Sequence, residues 1–242
     1  MNYDDDINEL KLSDFDKNGL QVYRNYKTSF HKHEIKLFIE ECDRGIYENL
    51  KDLEQVLDLI IQEDIKYLPI ILCSFADECF ERLLKRIIPE GVPGGSKSIL
   101  DGFGSVSSFS NRIQIAYIFD LLSKDILLEL NSFRKIRNDF AHQWNFEESK
   151  KKLRTIINSR SIKIEELLIE NGKISGDLDE DEQWKCHLVF FVGRIYYESE
   201  LYYNCIKKGL NPSTVLYSGE QTPKLFKEVT KLVHECLQKH KV

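Results

Sequence analysis

Between residues 65 and 89, apolar side chains recur at nearly every third or fourth position: Leu68, Ile70, Ile71, Leu72, Phe75, Cys79, Phe80, Leu83, Leu84, Ile87 and Ile88. A stripe with this period marks a helix with a buried side. Here it is broad enough to predict a helix at the centre of a bundle. Pro89, Gly91, Pro93, Gly94 and Gly95 end it and open a loop that runs to about Ser110, since proline and clustered glycine break helical hydrogen bonding.

The same period recurs along the chain. Ile35, Phe38, Ile39, Cys42, Ile46, Leu50, Leu53, Val56, Leu57, Ile60 and Ile61 predict one long helix or two abutting ones over 29–62, interrupted at Gly45. Further helices are expected at 111–122, up to His142, at about 146–158 after Asn145-x-x-Glu148, at 180–208, and after Thr222-Pro223. The stretch 159–181, with Asn171-Gly172, fits a short helix or a small hairpin. One serine of the 105–110 cluster should cap the helix that follows. The loop lacks the GxxxxGK[ST] spacing of a nucleotide-binding loop. With only five prolines and twelve glycines in 242 residues, the expected fold is all-α, a bundle of about six to eight helices. Its expected organisation is an acidic mobile arm at 1–26, a helical domain at 27–208, and a loop with an amphipathic C-terminal helix at 209–242, packed on the bundle or a partner.

A net charge of −6 argues against a general nucleic-acid coat protein. Locally the balance reverses: between Arg134 and Lys163 nine basic residues against three acidic ones leave +6. Arg134, Lys150, Lys151, Lys152 and Arg154 are therefore candidate contacts to a phosphate backbone, although lysines on a surface helix are the commoner case. Six cysteines lie scattered without a CxxC pair, as expected of small buried hydrophobes in a reducing compartment. No metal site and no cofactor are expected. No window is long and apolar enough for a membrane span, and the acidic amino terminus does not read as a secretory signal. A cytoplasmic location is expected.

The run Asn131–His142 joins a core stripe (Leu127, Leu130, Phe133, Ile136, Phe140) to a polar side. Arg134, Asn138 and His142 follow one another at i, i+4, and Arg137 lies one position off that line. A histidine that titrates near neutrality moves protons, and an arginine stabilises anionic oxygens, so together they suit a phosphodiester. The plainer alternative is a solvated polar face with His142 paired to Asp139. Asp77, Glu78 and Glu81 of the central helix are expected to face either this helix or solvent.

Ser108-Phe109-Ser110-Asn111-Arg112-Ile113-Gln114-Ile115-Ala116-Tyr117, followed by Ile136-Arg137-Asn138-Asp139-Phe140-Ala141-His142, resembles the signature region of the mannitol operon repressor (MltR) family. With weaker similarity in 65–89 and 146–158 it covers over a third of the chain. Arg137-Asn138-Asp139-Phe140-Ala141-His142 also resembles the R-x(4–6)-H motif of the HEPN superfamily, many of whose helical members are metal-independent RNases of toxin–antitoxin and anti-phage systems.

That second resemblance implies an endoribonuclease with a composite site between two protomers, its partners being RNA, a second copy and an antitoxin or regulatory protein. His142 would be the general acid/base, Arg137 would stabilise charge on the phosphate, and Asn138 would orient histidine or substrate. The mannitol repressor resemblance implies instead a non-catalytic transcriptional regulator or adaptor. A helix-turn-helix DNA binder ranks last, because no short helix, glycine turn and basic recognition helix follow one another.

Overall fold

A computed structural model describes residues 3–43, 50–142, 146–158, 179–207 and 224–239. The regular structure of these residues is entirely helical. In chain order the helices are α1 (Asp5–Asn8), α2 (Asp14–Asp43), α3 (Leu50–Gln62), α4 (Leu68–Ile87), α5 (Gly95–Leu100), α6 (Phe109–Ile118), α7 (Lys124–His142), α8 (Phe146–Asn158), α9 (Glu180–Lys207) and α10 (Lys224–Lys239). A 3-10 turn at Ile65–Tyr67 leads into α4, with the Asp64 carboxylate accepting from the Lys66 backbone N–H. The alternatives considered for 159–181 fall almost wholly outside the described residues, as do Gly45, Asn145 and Thr222-Pro223.

The bundle is organised on α4 and α9. Helix α4 packs against α3, α6, α7 and α9, and α9 against α3 and α10 as well. Leu68, Leu72, Cys73, Ala76 and Phe80 of α4 lose essentially all solvent contact, as do Trp184, Leu188, Val189, Val192 and Tyr196 of α9. Full burial of each large aliphatic contributes about 1.5–3 kcal/mol, so this pair of helices dominates the core. Asp179 opens α9 with a reciprocal cap, its carboxylate accepting from Glu182 N–H at 2.8 Å while Glu182 accepts from Asp179 N–H at 2.9 Å.

Helix α10 packs on α3 and α9 and, less extensively, on α2. Gly193 makes the close approach possible, because a Cβ there would stand 2.9 Å from Val233 Cγ2. The inward face of α10 carries Leu225, Val229, Val233, Cys236 and Leu237, while Phe226 is exposed with its ring edge-on to Tyr197 at 5.1 Å.

Several sequence expectations are displaced. The boundary expected at residue 26 falls inside α2, which runs unbroken from Asp14 to Asp43. Helix α1 folds back on it: Ile7 is buried, Arg24 pairs with Asp4 at 2.9 Å and Asp6 at 2.7 Å, and Gln21 accepts from Asp4 N–H. The loop after Pro89 contains α5, too short for its period to stand out. Helix α6 stops at Ile118, four residues before the expected end, and Asp120 takes a positive φ of 53° in the turn to α7. Ser108 caps α6 as expected, accepting from Asn111 N–H at 3.2 Å.

Candidate functional site

Helix α7 is set in place from its N-terminal side. Ile126, Leu130, Phe133 and Ile136 form its buried stripe, with Leu127 only partly buried, so the stripe starts one position earlier than the sequence suggested. The Phe133 ring lies 6.0 Å from Phe191 of α9. Polar contacts to α9 reinforce the packing. The Ser123 hydroxyl donates to Glu198 Oε2 at 2.7 Å, Arg194 reaches Asp125 at 2.6 Å and Glu198 Oε1 at 2.7 Å, and His187 Nε2 stands 3.5 Å from Glu129 Oε1. Burial pushes the Glu198 carboxyl above its ordinary value, with Arg194 and Ser123 offsetting only part of that. Burial also opposes ionisation of Asp125, but the Arg194 and Ser123 hydrogen bonds overcome it and hold this carboxyl low.

Past Phe133 the character of α7 changes. Arg137 and Asn138 are exposed, and neither makes a hydrogen bond or ion pair with any described residue. Arg134 is half-buried, and its Nε is buried without a hydrogen-bond partner. Both guanidinium groups stand within electrostatic reach of the Cys73 thiol on α4. Burial pushes that thiol up to about 12, and Arg137 and then Arg134 pull it partly back. The two arginines therefore share the flank of α7 that looks toward α4. His142 is the last residue of the helix; its side chain, with those of Phe140 and Ala141, lies outside the described residues.

The basic segment that follows is less free than its composition suggests. Lys152 of α8 crosses to Asp139 at 2.7 Å and also lies 3.6 Å from Glu148. The Asp139 hydrogen bond holds the Lys152 ammonium above its ordinary range. Arg154 pairs with Glu180 at 3.1 Å and sits 5.6 Å above the Trp184 ring. Lys151 is exposed, and the Lys150 side chain is outside the described residues. Of the five candidate phosphate contacts, Lys152 and Arg154 are thus engaged by acids within the fold, whereas Arg134 has no ion pair among the described residues. The suggested pairing of His142 with Asp139 lies outside the described side chains.

The acids of α4 face neither α7 nor solvent alone. Arg112 of α6, 7% exposed in its side chain, reaches Asp77 at 2.6 Å and Glu81 at 3.0 Å. Glu78 pairs with Arg82. Arg112 also donates to the carbonyls of Val106 at 3.2 Å and Leu100 at 3.0 Å, which ties down the 101–107 turn. At its tip, Phe103 is fully exposed. Gly104 is required there, since a Cβ would collide with the Ile99 carbonyl. Sequence reading overlooked this arrangement. The signal was an isolated arginine inside an otherwise apolar helix, opposite acids spaced i, i+4.

Cys73, Cys79, Cys186, Cys205 and Cys236 are buried thiols that no disulfide joins. Among the described residues, no three of His, Cys, Asp and Glu are grouped so as to hold a metal ion, and no helix is long and apolar enough to cross a membrane. No protein-family model, curated protein or solved structure matches the chain.

Proposed function

We propose that the chain is a HEPN-type endoribonuclease that requires no metal, acts as a homodimer, and serves as a toxin or anti-phage effector in the cytoplasm. In this reading His142 takes the proton from a ribose 2′-hydroxyl as that oxygen attacks the adjacent phosphorus. The P–O5′ bond breaks, O5′ gains a proton, and the products carry a 2′,3′-cyclic phosphate and a 5′-hydroxyl. Arg137 stabilises the charge that builds on the phosphoryl oxygens, and Asn138 orients the histidine or the substrate. Arg134, Lys150 and Lys151 hold neighbouring phosphates, while Lys152 and Arg154 stay committed to Asp139 and Glu180.

The observation that supports this reading best is the pairing of Arg137 and Asn138, exposed and without a partner among the described residues, with a half-buried Arg134 on the terminal turns of a helix whose other side is core. Structural arginines in this protein, such as Arg112 and Arg194, are answered by carboxylates. Among the described residues Arg134 and Arg137 have no such partner, which leaves their charge for an anion. The test is incubation of the purified chain with RNA in EDTA, followed by analysis of the fragment ends. Cyclic phosphate and 5′-hydroxyl ends, lost in His142→Ala, are expected. Intact RNA from folded, dimeric protein would overturn the proposal.

The alternative, a non-catalytic regulator or adaptor, is favoured by Phe103. A ring displayed in water by a turn that Arg112 ties down suits recognition of a partner protein. Under that reading Phe103→Ser abolishes partner binding, and Arg137→Ala does not change it.

A further inference from the structure

From Asp14 to Phe30, α2 is exposed almost all round. Gln21 alone is buried in that stretch, and Lys17 and Arg24 are half-buried. These three, at i, i+4 and i+7, face α1: Lys17 Nζ donates to the Asn8 carbonyl at 2.7 Å, and Gln21 and Arg24 bind Asp4 and Asp6. The other side of the helix carries Phe15, Gly19, Val22, Tyr23, Tyr26 and Phe30. Their spacing puts them on one stripe. Phe15 is 86% exposed and Tyr26 68%, and the Tyr26 and Phe30 rings stack at 6.2 Å with no other described ring joining them.

The spacing of the stripe is the same in both directions. About a centre between Val22 and Tyr23, Phe15 is placed symmetrically with Phe30, Gly19 with Tyr26, and Val22 with Tyr23. We propose that this face of α2 is a dimer interface that takes a second copy of the same helix antiparallel across a two-fold axis at that centre. Phe15 then meets the partner subunit's Phe30, and Tyr26 fills the gap over the partner subunit's Gly19. No described residue obstructs that gap, since a Cβ on Gly19 would meet no atom within 4 Å. A parallel pairing fails on the same residues, because it sets tyrosine on tyrosine and glycine on glycine.

Charge agrees with the direction. Asp16 and Lys27 are both exposed and lie on the same flank of the stripe. In an antiparallel pair each flank faces its own counterpart, so Asp16 comes within about 3 Å of axial register with the partner subunit's Lys27. Parallel packing would set each flank against the opposite one and lose that pairing. Aromatic side chains of 150–250 Å² that are half or more exposed give a contact on the order of 1,000 Å² over both copies, about what a specific association needs. The proposal does not draw on α7.

Light scattering and sedimentation of the full chain test it. The wild type is expected to be a dimer at about 100 µM, and Val22→Asp or Tyr26→Asp should weaken association by about 100-fold. Both positions are exposed, so helix content by circular dichroism should not change. Asp16→Lys should weaken the dimer, and Asp16→Lys combined with Lys27→Asp should restore it. Val22→Cys should cross-link to itself on oxidation, whereas Thr28→Cys on the opposite side should not. A wild type that is monomeric, a dimer untouched by Tyr26→Asp, or a dimer lost in Arg137→Ala instead would each overturn the proposal.

Discussion

The two ends of α7 obey different rules. Its first three turns are committed to the fold: Phe133 stacks on Phe191, and Ser123, Asp125 and Glu129 all meet α9. Its last turns present Arg134, Arg137 and Asn138 with no ion pair among the described residues. One helix therefore carries a structural end and a chemical end. A side chain that stabilises the fold is worth most when its partners are fixed, and one that binds an anion is worth most when its charge is unspent.

Substitutions at the structural end should produce the largest losses of stability. Phe133→Ala removes a ring with no solvent exposure and should cost about 3–5 kcal/mol in denaturant unfolding; a loss near zero would break the division of α7. Arg112→Met should cost about 2–3 kcal/mol, since it strands Asp77, leaves Glu81 with Lys85 alone, and frees the Leu100 and Val106 carbonyls that flank the Phe103 turn. Hydrogen exchange should show that turn opening first.

A smaller effect separates the α9 contacts. The Glu198 carboxyl is raised in the folded state, so its contribution is fully present below the ordinary glutamate value of 4.5 and is lost as pH rises through its folded value. Glu198→Gln removes that loss. Unfolding free energies of variant and wild type should agree near pH 4 and diverge in the variant's favour toward neutrality, by about 1 kcal/mol or less. The smallest shift is expected at the chemical end, where Asn138→Ala should leave stability within about 0.5 kcal/mol of wild type.

Much of the bundle was legible because its helices carry long, unambiguous apolar stripes. Helix α4 is bounded by Pro89 and its glycines, α8 starts where Asn145-x-x-Glu148 points, and the exposure of Arg137 and Asn138 follows from their being off the stripe. The first half of α2, before Ser29, was missed for a physical reason. Its period is helical, with Phe15, Val22, Tyr26 and Phe30 on one line, but the stripe lies within an acidic polar run and buries nothing in this fold, so charge outweighed period. The engagement of Lys152 and Arg154 could not be read locally, because Asp139 and Glu180 reach them from other helices. The Arg112 contacts to Asp77 and Glu81 depend in the same way on helices joined only in the folded chain.

The most direct measurement is the rate of RNA cleavage in EDTA by wild type and Arg137→Ala, taken on samples whose unfolding free energies are measured in parallel. The expected result is a loss of about 10²–10³ in rate with stability within about 0.5 kcal/mol. Equal cleavage by both proteins, or a rate that falls only as stability falls, would contradict the assignment of the end of α7 to chemistry.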